Sequence, residues 1–121
     1  MSDFQDGTYE IIGCAMAVHR ELGSGLREKP YENALIIALR EEGFAVEPQR
    51  SYPIYFRSHI VGDCIPDLTI NREILIEIKA VDSLGENETA QTLNYLRISG
   101  LKLGLVINFK PSKLEWKRCV M

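Results

Sequence analysis

Asp67, Glu77 and Lys79 are three charged side chains set in the apolar stretch "IPDLTINREILIEIKA", residues 65–80. In a strand, side chains alternate between faces, so Glu77 and Lys79 share one face while Ile76 and Ile78 take the other. Their Cα atoms then lie about 6.5–7 Å apart, close enough to act on one substrate group. The pair Asn71-Arg72 reads as a short hairpin connection, and on that reading Asp67 lies on the neighbouring strand, near Glu77. Two converging carboxylates can hold a hard divalent cation through oxygen. The competing reading is structural: Glu-x-Lys in a strand commonly marks a solvated face or a cross-strand ion pair. Against it, "ILIEIKA" is apolar on both sides of its charges, as expected of a covered central strand. Buried charges are costly unless they are paired or bind a metal.

Those side chains need a scaffold, and the rest of the chain reads as one. From about Gln5 to Leu22 the apolar residues Ile11, Ile12, Ala15, Met16, Val18 and Leu22 are spaced helically, and Gly23 stops the run. A second helix is expected from about Pro30 to Glu42, with Tyr31, Ala34, Leu35, Ala38 and Leu39 inward and Gly43 ending it. "FAVEPQRSYPIYF" carries Pro48 and Pro53 and reads as an irregular or edge strand. "HIVGDCIPDLTI" and "EILIEIKA" are the next two strands. "ENETAQTLNYLRISG" is helical, with Ala90, Leu93, Leu96 and Ile98 inward and Gly100 as its stop. "KLGLVINF" and "KLEWKRCV" complete the set as strands. The expected order is α-α-β-β-β-α-β-β, a layered α/β domain with a mixed sheet.

At 121 residues the chain is expected to form a single domain, residues 1–121. No apolar run approaches the roughly 20 residues of a membrane span. The opening "MSDFQDGTYE" is acidic and polar, unlike a secretory signal, so the expected compartment is the cytoplasm. Cys14, Cys64 and Cys119 are odd in number and far apart, which argues against a disulfide framework and a cysteine zinc site. A net charge of −3 argues against a basic nucleic-acid coat protein. It leaves a nuclease open, because bound cations offset the acids that hold them.

Pro66-Asp67 with Glu77-Ile78-Lys79 resembles the PD-(D/E)xK nuclease superfamily, and other segments resemble its small GxxExxY branch. "GLREKPY" supplies Gly25, Glu28 and Tyr31 of that motif; "VHRELGSGL", "QTLNYL" and "LKLGLVINF" add to the likeness, which runs from about Tyr9 to Val120. The resemblance implies a restriction-endonuclease-like core, a mixed β-sheet flanked by helices. It implies that Asp67 and Glu77 bind metal, and that Lys79 orients the attacking water or steadies the phosphorane charge. Glu28 would add an acid to the metal site, directly or through water. Gln91 and Tyr95 match the Gln-x-x-x-Tyr element of exonuclease-type branches, and four apart on a helix they share one face. Because Pro30 disfavours helix at Lys29, Glu28 is expected in the loop or at the cap.

The residue types suit phosphodiester hydrolysis, which needs an activated water and charge neutralisation. Carboxylates and water suit Mg²⁺ or Mn²⁺, and the chain lacks the Cys/His set that zinc prefers. The expected partner is nucleic acid, DNA or RNA. A homodimer or a partner protein is a further expectation, because so small a chain has little surface for selecting a substrate. The alternative function is a catalytically inactive nuclease-fold module that binds nucleic acid or protein. His19 reads as a contact to helix-terminal carbonyls or to a substrate phosphate, and His59 as an exposed turn residue. Asp63 is a spare ligand or, more simply, a solvated strand-end acid. Trp116, among Lys110, Lys113, Lys117 and Arg118, could stack on a base, but an edge strand guarded by its cations is the simpler reading.

Overall fold

The computed structural model describes residues 6–121. Its elements are α1 (Thr8–Leu22), α2 (Glu28–Glu41), β1 (Val46–Pro48), β2 (Tyr52–Phe56), β3 (His59–Cys64), β4 (Leu68–Ile70), β5 (Ile74–Lys79), α3 (Glu86–Ser99), β6 (Leu103–Asn108) and β7 (Glu115–Val120). The expected start of the first helix at Gln5 lies outside the described residues. The order matches the expected one, except that each of the two long strand segments divides. "FAVEPQRSYPIYF" becomes β1 and β2, and "HIVGDCIPDLTI" becomes β3 and β4, because the chain leaves one sheet for another at each break. Gln49, at φ 56°, follows Pro48 at the first break, and Ile65-Pro66 occupies the second.

Five strands form a mixed sheet in the order β1-β4-β5-β6-β7, while β2 and β3 form a separate ribbon. Only β5 and β6 run parallel; β1–β4, β4–β5 and β6–β7 are antiparallel. A parallel neighbour cannot be reached by a tight turn, so α3 makes the crossover between β5 and β6. Strand β7 is the sheet edge, as its lysines suggested.

Alternation along β5 sorts the core. Ile74, Ile76 and Ile78 pack with Ile11, Tyr31, Leu35 and Phe109 on the side of α1 and α2. Leu75 and Val106 face the other way and pack with Leu96 of α3. Glu77 and Lys79 share the parity of Leu75, so they belong to the α3 face. Gly104 sets the closeness of that helix: a Cβ there would lie 2.7 Å from Thr92 Cγ2. Thr92 is buried on α3, whereas Ala90, expected inward, is exposed.

Helix α2 starts earlier than expected. Its N-cap is Arg27 and Glu28 is its first residue. Pro30 therefore occupies the third helical position, where the backbone N–H has no intrahelical acceptor and its absence loses no bond. The expectation that Glu28 lies in the loop or at the cap is corrected accordingly. Gly43, at φ 94°, follows the helix end as expected. Among the described residues, no helix is long and apolar enough to cross a membrane.

Candidate functional site

Asp67 ends the bend that follows Pro66 and stands one residue before β4. Leu68 pairs with Ile76 across the antiparallel junction, so the register brings Asp67 up against Glu77. The two residues interlock through the backbone. The Asp67 amide donates to Glu77 Oε1 at 3.2 Å, and the Ile78 amide donates to Asp67 Oδ2 at 2.7 Å. Each carboxylate is thereby fixed by a rigid donor from the other strand.

Little compensates their charge. Glu77 is 5% exposed; burial and the neighbouring Asp67 carboxylate push its pKa up to about 8, although the Asp67 amide and Lys79 oppose this. Burial also raises Asp67; the Ile78 amide opposes that rise, and Glu32 and Glu28 add to it. The Cys64 thiol nearby is pushed up by burial and then by Glu77 and Asp63.

Lys79 brings a cation to this face beside Glu77, and α3 holds it. Its Nζ donates to Gln91 Oε1 at 3.1 Å, and Gln91 Nε2 donates to the Tyr95 hydroxyl at 3.3 Å. The i, i+4 spacing of Gln91 and Tyr95 aligns them on the helix, and the parity of Lys79 meets that side. Burial first, then the charge of Glu77, raises the Tyr95 phenol, which keeps it protonated and able to donate.

Helix α2 brings two further acids. Glu28 Oε2 accepts from the Ala80 amide at 3.3 Å, just beyond Lys79. Glu32, one turn later, is 4% exposed and accepts from Lys29 at 2.6 Å and Gln49 at 3.3 Å. Sequence reasoning missed Glu32, although its i+4 spacing from Glu28 was a usable signal. It also missed Asn108, which is fully buried at the end of β6. Asn108 holds both the N–H and the C=O of Val81, each at 2.9 Å, and so pins the loop after β5. An amide closing an apolar strand was its signal.

The residues of "GLREKPY" each have a physical task. Gly25 adopts φ 101°, a conformation open to glycine. The Tyr31 hydroxyl donates to Gly23 O at 2.5 Å and accepts from the Leu26 amide at 3.2 Å, clamping the loop. Its ring stacks on Phe109, with centroids 4.6 Å apart.

Other candidates fall away from the site. His19 Nε2 bonds the Pro111 carbonyl at 2.9 Å and ties α1 to the loop before β7. His59 is exposed, as expected, and Asp63 is an exposed acid that accepts from Ser51 at 2.9 Å. Trp116 packs against the larger core. The three cysteines are free and buried.

The donor set fits a hard divalent cation: all its first candidates are carboxylate oxygens, and two of them are held together against their mutual repulsion. Among the described residues, no group of three His, Cys, Asp or Glu side chains stands ready to coordinate one ion. Asp67 and Glu77 are the converging pair, while Glu28 is turned to the Ala80 amide.

The family model of the PD-(D/E)XK nuclease superfamily matches residues 5–119. The chain belongs to that superfamily, whose members generally use divalent metal ions. Two solved structures share the fold. The crystal structure of SSO0001 is 18% identical, with a TM-score of 0.58 over 74% of this chain and 48% of that one. The alkaline exonuclease LHK-Exo from Laribacter hongkongensis is 15% identical, with a TM-score of 0.55 over 99% of this chain and 72% of that one. The chain thus spans about half the length of the first. No curated protein gives a significant sequence match.

Proposed function

We propose that the chain is a metal-dependent nuclease that hydrolyses phosphodiester bonds of DNA or RNA, with Mg²⁺ or Mn²⁺ held by Asp67 and Glu77. The observation that carries this reading is the interlocked pair of carboxylates beside a lysine positioned from α3. A buried acid facing a half-buried one, without full compensation, is a poor structural device and a good cation site. The bound ion supplies Lewis acidity and lowers the pKa of a water.

The remaining chemistry belongs to the chain. Lys79 presents its ammonium to the nucleophilic water or to the charge that develops on phosphorus. Gln91 fixes the direction of Lys79, and Tyr95 fixes Gln91. Glu28 supports the end of β5 through the Ala80 amide and would add an acid to the metal site, directly or through water. Membership of the GxxExxY branch is supported by the tasks of Gly25, Glu28 and Tyr31, which together set the start of α2 against the site.

Cleavage of single- and double-stranded DNA and RNA with Mg²⁺ or Mn²⁺ tests the reading, with Asp67→Ala as the control. Cleavage by the wild type that disappears in the variant is the expected result. Intact substrates with either metal would instead favour an inactive module that uses the same fold for binding.

A further inference from the structure

The β2–β3 ribbon is a sheet separate from the five-stranded one and exposes large apolar side chains on both of its faces. Tyr55, Phe56, Ile60 and Val61 are each 58–66% exposed. Tyr55 lies opposite Ile60 and Phe56 opposite His59. At the turn, Arg57 and Ser58 both adopt positive φ, and the Arg57 guanidinium lies 4.8 Å from the centre of the Phe56 ring.

Charge tells which partner this surface suits. Residues 48–62 contain no Asp or Glu, although the chain as a whole carries −3. At the base of the ribbon Arg50 and Arg72 share Glu47, and the exposed Asp63 accepts from Ser51, so the positive charge the ribbon carries to its tip is that of Arg57. The groove between α1 and α2 is also apolar, but Glu10, Glu21, Glu41 and Glu42 line it, so it repels a polyanion. The ribbon does not. Its base leads into the site, since β3 ends at Cys64, three residues before Asp67. Its tip stands about 16 Å from that base at the usual rise per residue.

We infer that an unpaired stretch of nucleic-acid strand wraps the tip of the β2–β3 ribbon, stacking one base on Tyr55 on one face and another on Phe56 on the other while Arg57 meets a phosphate. The inference rests on the nuclease reading, which places a phosphodiester beside Asp67 and Glu77. Exposed aromatic rings take any base by its face, and a nearby guanidinium adds charge without selecting sequence. The ribbon therefore selects strand state: unpaired bases stack on it, and bases inside a duplex do not.

Fluorescence anisotropy with labelled oligothymidylate, in EDTA so that no cleavage occurs, tests this directly. The wild type is expected to bind, and the double variant Tyr55→Ala/Phe56→Ala to bind roughly tenfold or more weakly. A duplex should bind the wild type more weakly than the single strand. Oligouridylate run in parallel shows whether the grip extends to RNA. The Tyr55→Trp variant covers a misfolded alanine variant: it should retain binding, and its emission should be quenched by added strand. Failure of the wild type to bind, equal binding by the double variant, or unquenched emission would overturn the inference. So would a wild-type dimer that the double variant splits into monomers in sedimentation. Because binding is read without metal, an inactive wild type removes the nuclease reading alone. Unchanged strand binding in an active enzyme removes the ribbon's role alone.

Discussion

Asp6 and Glu77 are both partly sequestered acids, and the molecule surrounds them in opposite ways. Asp6 receives the Thr8 amide at 3.0 Å, the Thr8 hydroxyl at 2.6 Å and the Arg118 guanidinium. Burial pushes its carboxyl up, but the bonds from Arg118 and Thr8 prevail and hold it at about 2. Glu77 receives one backbone amide, faces a second carboxylate and sits at about 8. The fold can neutralise an acid with a guanidinium when structure is the only requirement. At Glu77 it leaves the charge to be completed from outside, and that difference marks the site more clearly than burial alone.

The largest expected effect separates the two acids by function. Asp67→Ala or Glu77→Ala should lower metal-dependent cleavage by about a hundredfold or more, since each removes an oxygen ligand. Asp6→Asn should cleave at nearly the wild-type rate. Thermal unfolding with Mn²⁺ gives a second readout: wild type and Asp6→Asn should both be stabilised, and Asp67→Ala should not. Equal stabilisation of all three would break the comparison.

The sign of charge removal comes next. Without metal, Glu77→Gln should stabilise the fold by about 2 kcal/mol, because it removes an acid that burial and Asp67 disfavour. Asp6→Asn should do the reverse. Denaturant melts in EDTA check both, and saturating Mn²⁺ should abolish the advantage of Glu77→Gln. A variant that is destabilised without metal would show that the Glu77 charge is compensated in the free protein.

A smaller effect tests how Lys79 is aimed. Gln91→Ala frees its ammonium and should lower the cleavage rate by about tenfold while leaving Mn²⁺ stabilisation intact. Loss of both would mean that Gln91 supports the carboxylates too.

Much of this site was legible because local rules carry it. Strand alternation put Glu77 and Lys79 on one face, and a short connection at Asn71-Arg72 brought Asp67 near them, although the observed turn takes three residues, Asn71 to Glu73, between the paired Ile70 and Ile74. Gln91 and Tyr95 came from the resemblance to a Gln-x-x-x-Tyr element, and helical spacing put them on one face. What failed depended on tertiary context. The two proline-marked breaks were visible, yet nothing local says that the chain changes sheet there and builds a ribbon. Glu28 was placed outside the helix because proline restricts the residue before it. In the first turn that restriction competes with contacts such as Glu28 to Ala80, and the contacts prevail. Glu32 and Asn108 are buried polar residues whose spacing or type was a signal, yet the partners that give them a task at the site, Gln49 and Val81, lie 17 and 27 positions away.

The smallest expected effect isolates the Asp6 charge. Asparagine keeps an oxygen for the Thr8 amide, so Asp6→Asn removes mainly the attraction of Arg118. Both side chains are about 30% exposed, so water and salt screen the pair, and the loss should be about 1 kcal/mol at neutral pH. Its pH dependence follows from the depressed pKa. The contribution is fully present above the ordinary 3.8 and is lost as pH falls towards about 2. Stability of wild type and variant, measured from neutral pH to pH 2, should therefore differ by a constant amount down to about pH 4 and then converge. A difference that persists unchanged at pH 2 would assign the loss to hydrogen-bond geometry at the start of α1. Asp6 would then no longer serve as the compensated counterpart of Glu77.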